Sequence, residues 1–143
     1  MGASRWEVQL VSYFPQLASE DFKIVGPYTK RYNCIAFAAG DTSMRWDDDD
    51  GYWPEGATRS ASIDSLKEVF TAIGFEQCDG VGVEPGFEKV ALYEQQGAWT
   101  HAAVQTPHGT WRSKMGDGPV IEHLNPESLA GGPYGHPTIY MRR

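Results

Sequence analysis

The sequence predicts a single α+β domain, residues 1–143, with helices in its N-terminal half packed on an antiparallel sheet in its C-terminal half. Three observations lead there. Apolar residues recur at helical spacing only before Gly74. Short apolar runs punctuated by Gly and Pro dominate after residue 80. Helices first and strands second is the order of an α+β fold. A chain of 143 residues, 41% of them hydrophobic, is long enough for one core without a metal or a disulfide framework.

The elements follow in order. Trp6, Leu10, Val11 and Phe14 lie at near-helical spacing, and Pro15 ends that segment. Phe22–Val25 reads as a short strand closed by Gly26-Pro27. Residues 33–39 form a short helix, because Asn33 is a good N-cap, the alanines favour helix and Gly40 stops it. Residues 41–60 show no periodicity and make a long loop of the functional kind. Ile63, Leu66, Val69, Phe70 and Ile73 line one face of the strongest helix, 62–73, capped by Ser62. Beyond the glycine-rich stretch near 80–86, strands are expected at 88–94, 98–105, 110–115 and 137–142, with a helical turn starting at Asn125-Pro126.

Composition excludes several functions. Twelve basic against nineteen acidic residues give a net charge of −7, and no Lys/Arg cluster offers a nucleic-acid surface. No stretch approaches a membrane span, and Trp6 stands where a myristoylation motif beginning at Gly2 wants Ser or Thr. The N-terminus lacks an apolar signal region, so the expected location is cytoplasmic, or exported without a cleavable signal peptide. Two cysteines are too few for a disulfide scaffold, although a Cys34–Cys78 bridge stays open. Asp47–Asp50 with Gly51 fails the spacing of a calcium loop. The four histidines lack the spacing of a zinc pair, and no P-loop or nucleophile elbow is present. No cofactor and no metal are expected.

Cys34 stands apart. It opens a predicted helix, where unpaired amides and the macrodipole favour a thiolate. A nucleophilic Cys also needs a base, and His101 in a predicted strand among small residues is the candidate. If the loop around His108 has an even number of residues, His101 opposes Lys114; with three loop residues it faces Ser113 or Met115. Lys cannot accept an imidazole N–H and Ser can.

Tyr32-Asn33-Cys34-Ile35-Ala36-Phe37-Ala38-Ala39-Gly40-Asp41, Tyr52-Trp53-Pro54, Trp99-Thr100-His101-Ala102-Ala103, Gly109–Gly116 and Ile121-Glu122-His123 resemble the pattern of an uncharacterised family of small bacterial proteins. At one remove the arrangement resembles papain-like and NlpC/P60-like cysteine hydrolases. That resemblance implies a papain-like fold, Cys34 as nucleophile and His101 as base. Its usual spacing of about a dozen residues from the His to a third, orienting residue falls on Ser113, with Glu122 and His123 in reserve. It also implies an oxyanion hole from the Cys34 amide with Tyr32 as a second donor. Tyr28 stands where papain carries its oxyanion Gln. Trp46, Trp53 and Trp99 are candidate substrate-binding residues.

The expected function is a thiol hydrolase of an amide or isopeptide bond, acting on a protein or peptide. Two alternatives stand beside it: a non-catalytic peptide- or glycan-binding domain, and the hydrolase domain of a bacterial effector or toxin.

Overall fold

The computed structural model describes residues 5–143, apart from the side chains of Arg5 and Trp6. The Gly2 reading and the place of Trp6 on the first helix therefore lie outside the described residues. In chain order the elements are α1 (Arg5–Tyr13), β1 (Lys23–Gly26), α2 (Cys34–Ala39), α3 (Ile63–Ala72), β2 (Glu76–Cys78), β3 (Lys89–Gln95), β4 (Ala98–Gln105), β5 (Trp111–Lys114), β6 (Val120–His123) and β7 (His136–Arg142). Short 3-10 turns occupy Pro15–Ser19 and Pro126–Leu129. All strands join one antiparallel sheet in the order β1-β6-β5-β4-β3-β7-β2.

This architecture corrects the expected one. The sheet runs through the whole chain rather than occupying its C-terminal half, and the papain-like arrangement is not what the molecule has. Lys23 and Ile24 of β1 pair with Glu122 and Ile121 of β6, so the N-terminal half supplies one edge of the sheet. Glu76–Cys78 pairs with Tyr140–Arg142 and supplies the other. The physical reason lies in the edges. The three-residue β2 is too short for a side-chain period to stand out, and β1, close to the expected 22–25 strand, joins the sheet through backbone bonds to a distant partner that local periodicity does not reveal.

Packing on both faces explains the continuous apolar run of β3. Val90 and Leu92 face a cluster with Cys34, Ile35, Leu66, Val69 and Phe70 from α2 and α3. Ala91 and Tyr93 face a second cluster with Leu10 of α1, Phe14 just after it, and Leu17 and Leu129 of the 3-10 turns. Successive strand residues point to opposite faces, so a strand covered on both sides loses its polar alternation. Among the described residues no helix is long and apolar enough to cross a membrane.

One feature of the sheet positions the candidate site. β4 pairs with β3 along its length, but with β5 only through Val104↔Arg112 and Gln105↔Trp111. Residues 98–103 of β4 are therefore free of β5 on that side, and the first turn of α2 meets them there.

Candidate functional site

Cys34 is placed by its neighbour. Asn33 is the N-cap of α2, its Oδ1 accepting from the Ala36 amide at 3.2 Å. The same oxygen accepts from the Trp46 amide at 3.1 Å, while Nδ2 donates to the Trp46 carbonyl at 2.7 Å. One buried side chain thus starts the helix and ties it to the 41–60 loop. Gly40 closes α2 in the left-handed region, with φ of +90°. There a Cβ would be strained.

Cys34 is buried, 7% exposed. Burial pushes it up to about 11, against the lowering pull of the amides of Ala102, Ile35 and Cys34 itself and of the Arg45 charge. The thiol rests neutral in a nest of backbone N–H groups. Cys78 is half-buried, and both cysteines are free thiols, which settles the open question of a bridge.

His101 follows a different course. It lies opposite Tyr93 in the ladder, and directly opposed residues point to the same face, so its ring enters the cluster beneath α1 while Cys34 packs with α2 and α3. The ring is completely buried, and among the described residues neither nitrogen has a hydrogen-bond partner, the Cys34 sulfur included. Burial holds it well below the usual imidazole range. Tyr134 lies face to face with it, centroids 4.2 Å apart and planes 6° from parallel, and Tyr93 meets it edge-on at 5.1 Å and 67°. The Cys34 sulfur thus meets β4 at the Ala102 amide, which follows His101, and no bond joins the two side chains.

Ser113 does not orient His101. The 107–109 connection has three residues, as Thr106 and Thr110 bond across it, but the strands separate before the register reaches His101. Ser113 pairs instead with Ile121, and its hydroxyl bonds His123 Nε2 at 2.8 Å. Glu122 turns the other way and binds Arg112 at 3.0 Å. Lys114 is buried, donating to the carbonyls of Thr29 at 2.8 Å and Gly116 at 2.6 Å, with its ammonium 5.4 Å from the Tyr32 ring centroid.

Tyr32 is buried and stacks on Phe37 at 6.1 Å. Trp46 and Trp53 are core residues, their indole N–H groups donating to Asp41 Oδ2 and to the Thr58 carbonyl. Trp99 stacks on Trp53 at 6.0 Å and donates to Asp48 Oδ1. These indoles brace the 41–60 loop, and two of its aspartates serve as acceptors for them. Among the described residues no group of three or more His, Cys, Asp or Glu is placed to hold a metal.

Sequence reasoning missed Tyr134 and the Ser113–His123 pair. The signal for the first was present: a lone aromatic within Gly131-Gly132-Pro133-Tyr134-Gly135, a loop otherwise made of conformationally special residues. Ser113–His123 had no such signal, because it depends on which strand lies beside β5.

No curated protein and no solved structure matches the chain. Residues 23–142 match the family described as Domain of unknown function (DUF7689). That stretch spans β1 to the end of β7 and includes both Cys34 and His101, and the chain belongs to that family.

Proposed function

We propose that this domain is a thiol hydrolase that cleaves an amide or isopeptide bond of a protein or peptide through Cys34 and His101. One observation carries the reading. A fully buried imidazole with both nitrogens unpartnered among the described residues stands one residue from the amide that meets the Cys34 sulfur. Unsatisfied buried polar groups are uncommon and need a reason, and proton acceptance from a neighbouring thiol is such a reason. In the reaction Cys34 gives its proton to His101 as sulfur bonds the substrate carbonyl carbon. The imidazolium protonates the departing amine. Water then attacks the thioester, giving its proton to His101, which returns it to the sulfur as the acid leaves. The amides around the sulfur stabilise developing negative charge there.

The burial of both groups favours a second reading, a non-catalytic binding domain in which Cys34 and His101 are core residues. Labelling with peptidyl electrophiles (a vinyl sulfone or an acyloxymethyl ketone), followed by mass spectrometry, separates the two. The hydrolase reading expects adducts on Cys34 that disappear in folded His101→Phe. Adducts on half-buried Cys78 alone, across a panel of peptide sequences, support the binding domain and overturn the hydrolase.

A further inference from the structure

We infer that Tyr134 is the positioning residue of His101: an aromatic face, rather than a hydrogen-bonding third side chain, sets the plane of the imidazole. The functional meaning of this inference rests on the Cys34–His101 reading, while its geometry does not. Among the described residues both ring nitrogens of His101 are without a hydrogen-bond partner, so none of those residues orients the ring as an acceptor. Ser113, which the sequence puts forward for that task, is committed to His123. What fixes His101 is contact in two directions. Tyr134 lies parallel to it at 4.2 Å, and the Tyr93 edge meets it at 67°. One contact sets the plane and the other limits rotation within it, as aromatic pairs do.

The loop that carries Tyr134 is built to hold it there. Thr100, the residue before His101, donates from Oγ1 to the Tyr134 carbonyl at 2.6 Å. The Gly131 amide donates to the Gly135 carbonyl at 3.0 Å, and the Gly135 amide to the Gly132 carbonyl at 3.1 Å. A Cβ at Gly132 would collide with the Tyr13 carbonyl, and one at Gly135, whose φ is +67°, with the Glu94 carbonyl. The loop is thus seated on the end of α1 and on β3, with its one large side chain turned onto His101. Tyr93 is anchored in turn, its hydroxyl donating to the Pro126 carbonyl at 2.6 Å.

Stacking has a chemical consequence that a polar orienter lacks. It leaves both nitrogens free of hydrogen bonds, so one can take the thiol proton while the other remains available to a substrate group. Burial keeps the imidazole neutral.

The test uses the whole chain as wild type, Tyr134→Phe and Tyr134→Leu, with NMR of the His101 ring. In the wild type the His101 carbon-bound ring protons should move upfield under the Tyr134 ring current, and unshifted protons in folded wild type overturn the inference whatever the variants do. Tyr134→Phe keeps the face and should keep the His101 titration. Tyr134→Leu should raise the His101 midpoint by about one pH unit or more as water reaches the ring. A folded Tyr134→Leu protein with the wild-type titration overturns the inference. The titration is read without substrate, so a Tyr134-dependent His101 in a chain whose Cys34 never labels sinks the hydrolase reading alone.

Discussion

The Ser113 hydroxyl donates to His123 Nε2 across 2.8 Å, inside the sheet face covered by α1. The tautomer follows from the other ring nitrogen. His123 Nδ1 lies 2.9 Å from the Asn125 carbonyl, which only accepts, so Nδ1 carries the proton and Nε2 must accept. The chain from β5 through β6 to the 3-10 turn is therefore fully satisfied, unlike His101 on the same face. The contrast separates a structural polar pair from a candidate reactive group by the bonds each makes.

Ser113→Ala should leave His123 Nε2 buried and unpaired, destabilising the protein by about 1–3 kcal/mol. Chemical denaturation measures that loss. The folded variant should still label at Cys34 with a peptidyl electrophile at the wild-type rate. Loss of labelling without loss of fold would return Ser113 to the reaction.

Acid should weaken the fold through its buried histidines. Unfolded, each imidazole titrates near ~6.5. Folded, His101 is held well below that value and His123 below it too, chiefly by burial. As the pH falls below the unfolded value, the unfolded chain binds more protons, so stability drops by up to about 1.4 kcal/mol per pH unit for each histidine. The lowered carboxylates Asp41, Glu68, Glu84 and Glu122 lose their contribution only at lower pH, as they pass through the carboxylate range. The urea midpoint should therefore fall between about pH 6.5 and 5, with a shallower slope in His101→Phe, which keeps the stack on Tyr134. A midpoint that does not move over this interval contradicts the buried neutral state.

The parts of the fold legible in the sequence are those with local signals. Asn33, the alanines and Gly40 mark α2 at both ends, and the observed caps are the expected ones. The predicted strand 98–105 coincides with β4. β1 approximates the expected 22–25 strand, whereas β2 and β6 carry no comparable signal, being short and defined by partners. The same distinction governs the site. A helix-start Cys is a local feature and could be named. The orientation of His101 depends on where β4 and β5 part, and counting residues round the hairpin assumed a ladder that ends at Val104. Tyr134 reaches His101 from a loop 33 residues downstream, a distance that no spacing rule spans.

Lys114→Met should loosen the approach to Cys34. The ammonium joins the Thr29 carbonyl, ahead of α2, to the Gly116 carbonyl of the β5–β6 turn, and lies over Tyr32. Burial lowers its pKa, the Asp117 charge opposes that shift, and the carbonyls remain its hydrogen-bond acceptors. Methionine keeps the stem and removes the donors, at a loss of roughly 1–3 kcal/mol for charge-assisted bonds. Hydrogen exchange should quicken at the amides of Tyr32 to Ile35 more than in β7. Equal change in both regions would show that Lys114 acts on global stability alone.

Asn33 carries the most concentrated load beside Cys34, because one amide group both caps α2 and holds Trp46. Asn33→Ala removes the cap and unpairs both Trp46 backbone groups, a combined loss of about 2–4 kcal/mol. Asn33→Ser separates the two duties. Its hydroxyl can accept from the Ala36 amide and restore about 1 kcal/mol, but it is too short to bridge to Trp46 in both directions. Exchange should therefore slow again at Ala36 in the Ser variant while the Trp46 amide stays fast. If Ser restored protection at both amides, the tether to the 41–60 loop would lie elsewhere, with the Trp46 indole bond to Asp41 the next contact to remove.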